Sequence, residues 1–529
     1  MERRWNSFYP KSVSPQTTIP LISLYELLER TALQYPSQIA VIDGDKTSTY
    51  AQLRESVDRL ASALHRRGFQ KGDRVAIMLP NCVEYIISNF ATQRLGGTVV
   101  QVNPMYTPTE LEHILRDSEP AWFISEGGQH TKLEQIGLVD QIVFIQTDDP
   151  NEGISPFYQW IGESGEFAPI AFIDPKEDVA LLQYTGGTTG RSKGVMLTHF
   201  NLIANVYQSY SVYTDLLTIP GERMLGIPPF FHISGIVSLN RSILIAGTLI
   251  TVRRFQLEQA VELILKHRPT VFPGLPTLYV ALLSHPELDN IASSFKFCTS
   301  GTAPLPMEVV QKFKEKTGQR IIEIFGLSEG LITHQTPRSA VYKQGSIGIP
   351  LPGTDAKIVD LHTGTEELPP GQTGEFIIKG PGVMKGYWKN PEDTAATIRN
   401  GWLYTGDLAT MDEDGYFFIV GRKKEMIIAS GYNVYPQEVE EVLYRHEGVA
   451  EACVFGIPDP YRGETVKAII LPKNPELTVE EMMEWCNQRL ARYKVPRVIE
   501  FRHELPKSAV GKILRRVLIE EEKKKHANS

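Results

Sequence analysis

The sequence lacks a basic region of the kind that binds nucleic acid. Its formal net charge is −8, and no long run of one sign occurs before the terminal "EEEKKK" at residues 520–525. Nucleic-acid binding relies on clustered lysine and arginine side chains that neutralise phosphates. The composition therefore excludes nucleic acid as the main partner.

The sequence is also poor in cysteine and in long apolar stretches. Its four cysteines (Cys82, Cys298, Cys453 and Cys486) lie far apart, so they form neither a metal pattern nor a disulfide framework. The longest apolar stretch, near "SILIAGTLITV", is about half the length that spans a bilayer. The N-terminus "MERRWNSFYP" has no apolar core of a signal peptide. We therefore expect a cytoplasmic protein, and contact with a membrane surface stays open.

The sequence does contain an almost unbroken alternation of strand and helix patterns. The buried strand "RVAIMLP" at residues 74–80 is followed by the helix "CVEYIISNFATQRLGG" at 82–97 and the strand "TVVQVNP" at 98–104. Repeated units of this kind predict an α/β fold with largely parallel sheets and helices on their faces. A chain of 529 residues is also too long for one core, so at least two domains are expected.

The pattern changes between about residues 370 and 430. The stretches "GEFIIKG", "GYFFIVG" and "EMIIASG" are short and separated by glycine and charge, which favours a small antiparallel sheet. Helices and strands alternate again from "PQEVEEVLYRHEGV" onward. The charged turn "GRKKE" marks the boundary, so we divide the chain into an N-terminal domain at 1–421, a hinge at 422–425 and a C-terminal domain at 426–529.

The stretch "YTGGTTGRSKGVMLTH" at residues 184–199 is a candidate phosphate-binding loop. Successive glycines let backbone N–H groups converge on an anion, threonine hydroxyls add donors, and Lys193 supplies positive charge. The Walker A pattern does not fit, because Gly190 is followed by Arg191 and Lys193 by Gly194. Taken alone, the stretch is equally compatible with a flexible surface loop.

Four further residues have the chemistry that a nucleotide site needs. Glu329 in "EIFGLSEG" offers oxygen to Mg²⁺, and Asp407 in "GWLYTGD" can accept hydrogen bonds from a ribose diol. Arg422 in "GRKKEMI" is expected beside Asp407, and Lys512 follows a glycine turn in "PKSAVGKILRR". Each residue alone also fits an ordinary structural role, such as a turn cap, a surface ion pair or a solvated basic face.

Together and in this order, these stretches resemble the adenylate-forming superfamily of acyl-CoA synthetases, luciferases and peptide-synthetase adenylation domains. The resemblance runs from about residue 25 to the C-terminus and is strongest to AMP-forming fatty acyl-CoA synthetases. Their signature region is similar to "NGWLYTGDLATMDEDGYFFIVGRKKEMIIASGYNVYPQEVEEVL". The resemblance implies a large N-terminal domain of mixed and parallel sheets with a β-subdomain, and a small mobile α+β C-terminal domain. It also implies ATP, CoA and a fatty acid as substrates, with Mg²⁺.

The resemblance also implies roles for individual residues. The implied ATP- or AMP-binding residues are Thr185, Gly186, Gly187, Thr188, Thr189, Gly190, Lys193, Gly301, Thr302, Ala303, Glu323, Phe325, Gly326, Leu327, Ser328, Asp407, Arg422 and Lys512. Lys512, Glu329 and His232 are implied to be catalytic, with His232 at the acyl end. The implied Mg²⁺ ligands are Thr185 and Glu329. Lys424 matches the hinge, and Ser430, Gly431 and Tyr432 match the CoA thioester channel.

The sequence departs from the family pattern at three of these places. Gly186 replaces a serine, Ser192 replaces the proline before Lys193, and Phe325 replaces a tyrosine. None of these changes removes a charge from the mechanism. They concern the affinity for ATP and leave the reaction class unchanged.

The predicted reaction has two steps, in which a carboxylate and ATP give acyl-AMP and the CoA thiol then displaces AMP. No cysteine nucleophile of the protein is needed. The pocket-side stretches "PPFFHISGIVSL" and "TSGTAPLP" contain no lysine or arginine for a second carboxylate, so we expect medium- to long-chain fatty acids. Three alternatives stay open: an aryl- or coumarate-type CoA ligase, an enzyme that loads a separate carrier protein, and a non-catalytic acyl or nucleotide sensor. Monomer and homodimer are both compatible with the sequence.

Overall fold

The computed structural model describes residues 3–148, 153–185, 192–301, 305–337, 340–429, 432–459, 461–508 and 511–527. Their strands form four sheets. Three sheets lie before residue 423 and one lies after it, which confirms the predicted α/β class with a smaller C-terminal unit. The domain limits at 421 and 426 stay predictions.

The largest sheet has nine strands in the part of the chain that the structure describes. In spatial order they are Ile349–Pro350, Leu331–Gln335, Ile321–Leu327, Phe297–Ser300, Val271–Gly274, Arg223–Gly226, Thr248–Thr251, Ile39–Asp43 and Lys46–Thr49. The six strands from Ile321–Leu327 to Ile39–Asp43 run parallel, and the outer ones pair antiparallel. Parallel strands place the loops that follow them at one edge, where ligands of α/β proteins bind.

The second sheet has seven described strands. In spatial order they are Gly386–Tyr387, Lys193–Thr198, Val179–Thr185, Thr98–Gln101, Arg74–Met78, Trp122–Ser125 and Val143–Gln146. The last five run parallel, as the strand–helix alternation predicts. The first two pair antiparallel, and they bring the Lys193 strand beside Val179–Thr185.

Two smaller sheets follow. One contains Asp355–Val359, Gly374–Lys379, Trp402–Met411 and Ile398–Arg399, with Phe417–Arg422 also paired to Trp402–Met411. The other contains Tyr432–Val434, Ile427–Ala429, Gly463–Pro472 and Val449–Asp459, with Val498–Phe501 also paired to Gly463–Pro472. The predicted strands in "GEFIIKG" and "GYFFIVG" thus share a sheet. The strand in "EMIIASG" belongs instead to the C-terminal sheet, beyond the charged turn.

Helices cover the sheets, and local sequence sets where they begin. Thr198 caps the helix His199–Ser211 by accepting the Asn201 N–H, while the Asn201 side chain accepts the Thr198 N–H. The α-helices are Leu24–Gln34, Tyr50–Arg66, Val83–Arg94, Pro108–Ser118, His130–Gln135, Pro156–Gly162, His199–Ser211, Ile233–Leu244, Leu257–His267, Pro276–Leu283, Leu288–Ala292, Met307–Thr317, Pro391–Thr397, Pro436–Tyr444, Val479–Asn487 and Arg515–Ala527. Short 3₁₀ turns are Arg4–Phe8, Gly127–Gln129 and Lys423–Glu425.

The core joins the large sheets through buried helices. Val83–Arg94 is buried at every position, as expected for a helix enclosed on all sides. No helix among the described residues combines the length and apolar character needed to cross a bilayer.

Candidate active site

A hairpin of the seven-stranded sheet positions the ends of the candidate phosphate loop. Thr185 ends one strand and lies opposite Lys193, which begins the next. The loop between them, with Gly186, Gly187, Thr188, Thr189 and Gly190, lies outside the described residues, as do Thr302, Ala303, Ser430 and Gly431. The roles implied for these residues therefore stay predictions.

Lys193 is held by an acidic and an aromatic side chain. Its Nζ lies 2.6 Å from Asp393 Oδ2 and 5.0 Å from the ring centroid of Tyr387. The hydrogen bond from Lys193 lowers the pKa of Asp393. A cation over an aromatic face is attracted by the ring quadrupole. The Lys193 ammonium is thus held next to the loop before any nucleotide binds.

Tyr387 also connects Lys193 to Glu329. The Tyr387 hydroxyl donates to Glu329 Oε1 at 2.9 Å, and the Met384 N–H donates to the Glu329 carbonyl at 2.8 Å. Burial, followed by the Glu329 charge, raises the pKa of Tyr387, so the phenol stays a donor. These contacts fix the orientation of the Glu329 carboxylate.

Tyr387 and Asp393 are functional candidates that the sequence alone does not indicate. Both lie in "GYWKNPEDT", about two hundred residues from the loop, and only the antiparallel pairing of Gly386–Tyr387 with Lys193–Thr198 brings them there. Neither residue type nor local spacing distinguishes them from surface residues. The short strand-like "KGYW" after a glycine turn is the only local signal.

Asp407 and Arg422 form an ion pair across two strands of the small antiparallel sheet. They are register partners, and Arg422 Nε lies 2.8 Å from Asp407 Oδ1. The Asp407 side chain is only 3% exposed, and among the described residues its Oδ2 has no hydrogen-bond partner. A buried acceptor without a partner is costly unless a ligand donates to it. The site therefore suits a hydroxyl donor such as a sugar diol.

Burial raises the pKa of Asp407 to about 6, against the opposing charges of Arg422 and Lys512. The carboxyl is therefore ionised above about pH 6 and protonated below it. Lys512 thus lies close enough to the ion pair to act on it, although it comes from the last twenty residues of the chain.

The segment that carries Lys512 packs directly against the large domain. Gly511 has φ +73°, a conformation that favours glycine, and a Cβ there would approach Thr277 Oγ1 to 2.8 Å. Both the backbone conformation and the close contact therefore disfavour a side chain at position 511. Lys512 is open to solvent in this cleft. The pKa of Lys512 is nevertheless lowered, first by desolvation from the surrounding protein atoms and then by the positive charge of Arg422. The negative charges of Asp407 and Glu440 act in the opposite direction and raise it.

His232 lies on the opposite wall and is neutral. It caps the helix Ile233–Leu244, and its Nδ1 accepts the Ser234 N–H at 3.2 Å. Burial, followed by the Lys512 charge, lowers the pKa of His232 to about 4. With Nδ1 accepting, the proton of the neutral ring is on Nε2, which can donate a hydrogen bond. Phe230 is fully buried with its ring 5.4 Å from Tyr85, so it cannot stack on a substrate.

The remaining nucleotide-site candidates lie on two neighbouring strands and the loops that follow them. Ser300, just before Gly301, pairs with Glu323. The glycine-bounded stretch "EIFGLSEG" suggests a tight turn over residues 323–330, but residues 323–327 belong to a strand, so a turn can begin only after Leu327. Phe325 lies 5.5 Å from Phe376, and a Cβ at Gly326 would lie 2.4 Å from the Leu331 carbonyl oxygen. Leu327 and Ser328 follow at the strand end.

Glu323 faces the C-terminal unit rather than a cation. Among the described residues its Oε1 has no hydrogen-bond partner. Burial, followed by the charge of Glu441, raises the pKa of Glu323 to about 7. Glu441 belongs to the helix Pro436–Tyr444, so this like-charge approach occurs between the two units.

The channel candidate Tyr432 is not part of this cluster, whereas the charge of the hinge candidate Lys424 helps to lower the pKa of Asp393, the partner of Lys193. Lys424 is exposed in the 3₁₀ turn Lys423–Glu425. Tyr432 is 58% exposed and stacks on Tyr493 at 4.7 Å. The described residues therefore bring together Lys512, Asp407, Arg422 and His232, with Lys193 and Glu329 joined through Tyr387.

The Asp407 environment leads to a pH prediction. We expect kcat/KM for ATP to fall about tenfold per pH unit below about pH 6, since protonation removes an acceptor and weakens the Arg422 pair. The check is the pH profile of kcat/KM for ATP in the native chain and in Asp407→Asn, which cannot titrate. A retained inflection near pH 6 in Asp407→Asn would assign the titration to another group.

Comparison with known proteins connects this geometry to a family. A family model described as AMP-binding enzyme matches residues 28–388, and one described as AMP-binding enzyme C-terminal domain matches residues 438–512. A long-chain-fatty-acid–CoA ligase of Bacillus subtilis (strain 168) is 44% identical, with 99% of each chain covered.

Solved structures show the same fold. ATP-bound MatB from Rhodopseudomonas palustris superimposes with a TM-score of 0.88 at 32% identity, covering 95% of this chain and 99% of that one. Apo MatB from the same organism, with the same identity and coverage, superimposes with a TM-score of 0.77. Since both are one protein, the arrangement of this chain is closer to the ATP-bound form. The chain belongs to the AMP-binding enzymes of the adenylate-forming superfamily.

Proposed function

We propose that this protein is an AMP-forming fatty acid–CoA ligase that converts a fatty acid, ATP and CoA into acyl-CoA, AMP and pyrophosphate. The observation that carries the proposal is that the segment with Lys512, on the C-terminal unit, packs at Gly511 against Thr277 of the large domain, where the Lys512 charge acts on Asp407 and His232. One cleft therefore combines a cation, an unpaired buried carboxylate oxygen and a neutral histidine.

In the first step, a carboxylate oxygen of the fatty acid forms a bond to the α-phosphorus of ATP, and the bond to pyrophosphate breaks. Lys512 stabilises the charge that develops on the carboxylate and α-phosphate oxygens. The Asp407 carboxylate and its partner Arg422 hold the ribose. Lys193 leaves Asp393 to neutralise the β- and γ-phosphates.

Oxygen donors are what Mg²⁺ prefers, and Thr185 and Glu329 fit this requirement. Among the described residues, no three histidine, cysteine or acidic side chains are grouped so that they could hold a metal ion. Bound Mg²⁺ neutralises phosphate charge. Tyr387 orients the Glu329 carboxylate for this purpose.

In the second step, the CoA thiol loses its proton to solvent, its sulfur forms a bond to the acyl carbon, and AMP leaves with the electrons of the broken acyl–oxygen bond. Acyl transfer from AMP is easier than from a free carboxylate, because a stabilised phosphate replaces oxide as the leaving group. The protein supplies no covalent nucleophile. The four cysteines agree with this, since all are buried and burial raises the pKa of each thiol.

The substrate class follows from the acyl end of the cleft. An aryl acid would stack on Phe230, Phe231 and His232 of "PPFFHISG". Phe230 is buried and so is not available for stacking, which disfavours the coumarate-type alternative. A Cβ at Gly301 would lie 2.9 Å from Ile324 Cγ1. Glycine at this position therefore lets the two strands pack closely and adds no side chain to the acyl end of the site. The identity to a long-chain-fatty-acid–CoA ligase over the full length supports long-chain acids.

We expect kcat/KM to rise about fourfold per added carbon until the chain fills its binding site, because each buried methylene contributes about 0.8 kcal/mol. The measurement is kcat/KM with ATP and CoA across saturated acids from acetate to octadecanoate, with coumarate and benzoate alongside. Acetate should be very poor. A preference for an aryl acid, or a flat response to chain length, would contradict the fatty-acid assignment and leave the ligase mechanism intact.

Pyrophosphate release with and without CoA distinguishes the remaining alternatives. A carrier-loading enzyme would form acyl-AMP but transfer it poorly to CoA, and a sensor would release no pyrophosphate. Retention of Lys512, Glu329, Asp407 and Arg422 argues against the sensor. Contact with a membrane surface, a monomeric or dimeric state and a cytoplasmic location stay predictions.

A further inference from the structure

The connection that leads to His232 is held by side chains of the seven-stranded sheet. It covers residues 227–232, between the strand Arg223–Gly226 of the nine-stranded sheet and the helix Ile233–Leu244. Its sequence, "IPPFFH", contains two prolines, which have no N–H to donate to a strand ladder. Contacts from other elements are therefore needed to fix this connection and to pair its buried backbone groups.

Asn81 forms hydrogen bonds with three backbone groups in or beside the connection. Its Nδ2 donates to the carbonyls of Gly226 at 2.7 Å and Pro228 at 3.0 Å, and its Oδ1 accepts the Phe230 N–H at 2.7 Å. Asn81 is buried, and it follows the strand Arg74–Met78 of the seven-stranded sheet. These bonds fix the middle of the connection against that sheet.

Two glutamines on neighbouring strands hold the carbonyls that precede His232. Gln101 Nε2 donates to the Phe230 carbonyl at 2.6 Å, and Gln183 Nε2 donates to the Phe231 carbonyl at 3.3 Å. Both glutamines are buried, and they are register partners in parallel strands, so their side chains leave the same face of the sheet. Among the described residues their Oε1 atoms have no hydrogen-bond partner, so both amides act on the connection as donors only.

Tyr85 completes this set of side chains, which we call the amide clamp (Asn81, Tyr85, Gln101 and Gln183). Its hydroxyl donates to the Phe230 carbonyl at 2.9 Å and accepts from Gln101 Nε2 at 2.9 Å. The Phe230 carbonyl therefore accepts two hydrogen bonds, which use both of its lone pairs. The backbone just before His232 is thus fixed by several bonds to one sheet.

The His232 ring follows the position of the connection. Its Nδ1 accepts the N–H of Ser234 in the first turn of the helix, and its own backbone N–H donates to the Pro229 carbonyl at 2.9 Å. A Cβ at Gly235 would lie 2.0 Å from the Pro229 carbonyl oxygen, so the connection lies directly against that turn. A displacement of the connection would therefore move the ring as well.

The amide clamp also connects His232 to the phosphate side of the site. Gln183 lies two residues before Thr185, at which the strand ends and the candidate phosphate loop begins. Adenylation requires a carboxylate oxygen to meet the α-phosphorus, and an error of about 1 Å in such a placement can lower the rate about a hundredfold. Since one strand leads to the loop and holds the carbonyl before His232, it relates the acyl end to the phosphate end.

We propose that Gln101 and Gln183 are positioning residues, which act through the carbonyls of Phe230 and Phe231 to hold His232 at the acyl end of the site. The proposal rests on the proposed ligase function, which places the acyl chain beside His232. A purely structural role would only give buried carbonyls a partner, and its loss would affect stability alone. The two roles therefore differ in what removal of the amide does to the use of fatty acids.

Gln183→Met tests the proposal, because methionine has a similar length and shape but no donor. In ATP–pyrophosphate exchange, kcat/KM for dodecanoate should fall at least about tenfold, while KM for ATP stays within about twofold of the native value. Gln101→Met should act in the same direction. It leaves the Phe230 carbonyl its bond from Tyr85, so it decides the proposal if Gln183→Met does not fold.

Gln93→Met is the matched control. Gln93 is fully buried, its Nε2 donates to the Ala180 carbonyl at 2.9 Å, and its Oε1 has no partner among the described residues. Ala180 lies on the same strand as Gln183, near the opposite end. Gln93→Met should therefore lower the melting temperature about as much as Gln183→Met, with both kinetic constants within about twofold of the native values.

A double-mutant cycle shows whether the glutamines act through His232. If they do, Gln183→Met should lower kcat/KM for dodecanoate less than about twofold once His232→Ala is present. Losses that multiply in the double variant would overturn the proposal, and so would an equal loss in Gln93→Met.

Nuclear magnetic resonance of the full chain with isotopically labelled histidine provides a check that needs no turnover. The His232 ring signals, identified by their loss in His232→Ala, should shift or broaden in Gln183→Met and Gln101→Met and stay native in Gln93→Met. Unchanged His232 signals in both of the first two variants would overturn the proposal. If no fatty acid supports exchange in the native chain, the ligase function is contradicted, and the ring signals still decide whether the glutamines position His232.

Discussion

Replacing Lys512 by alanine should remove adenylation while sparing thioester formation from supplied acyl-AMP. Lys512 is the C-terminal cation that reaches the pair Asp407–Arg422 and the wall at His232. Loss of a group that stabilises developing charge costs roughly 3 kcal/mol or more, which lowers the rate at least about a hundredfold. The measurement is ATP–pyrophosphate exchange with a fatty acid, beside acyl-CoA formation from synthetic acyl-AMP and CoA.

Lys507→Ala is the matched control for Lys512→Ala. Lys507 lies on the same segment and forms a pair with Glu451 at 2.5 Å. Surface pairs of this kind contribute little, so both half-reactions should stay within about twofold of the native rates. An equal loss of both half-reactions in Lys512→Ala would show that Lys512 is structural or serves both steps.

The elements that the sequence predicted best are those whose own pattern determines them. The apolar run "RVAIMLP" becomes the strand Arg74–Met78, and the helix predicted in "CVEYIISNFATQRLGG" is Val83–Arg94. Asp407 and Arg422 were expected side by side, and they are register partners. A short hairpin joins them, so local sequence is sufficient to bring them together.

The contacts that the sequence did not predict depend on distant pairings. Tyr387 reaches Lys193 only because Gly386–Tyr387 adds to the edge of the seven-stranded sheet. Glu323 meets Glu441 only through the docking of the C-terminal unit. Such contacts depend on tertiary packing, about which the hydrophobic periodicity of a single segment gives no information.

The link between the two units is short and fixed at both ends. Arg422 ends a strand of the small antiparallel sheet, and Ile427 begins one of the C-terminal sheet. Lys423 pairs with Glu375 of the large domain at 2.7 Å, whereas Glu425 pairs with Arg515 of the C-terminal unit. Lys424 lies between these two ion pairs, so a rotation of the C-terminal unit is concentrated at its backbone.

Such a rotation is required if one C-terminal unit serves both half-reactions. Lys512 is in the cleft, while Ile428 and Tyr432 are 50% and 58% exposed. A rigid unit cannot present Lys512 and the hairpin that carries these residues to one small site in a single orientation. We therefore infer that the unit turns about Lys424 after acyl-AMP has formed.

Lys424→Pro should accordingly slow thioester formation far more than adenylation. The pyrrolidine ring fixes φ near −65°, and a backbone conformation that conflicts with it costs about 3 kcal/mol, or about a hundredfold in rate. Single-turnover measurements of pyrophosphate release and of acyl-CoA formation separate the two steps. Lys424→Ala removes the same side chain but leaves φ free, so it should keep both rates within about threefold. If Lys424→Pro leaves the ratio of the two rates unchanged, the C-terminal unit does not turn at this residue.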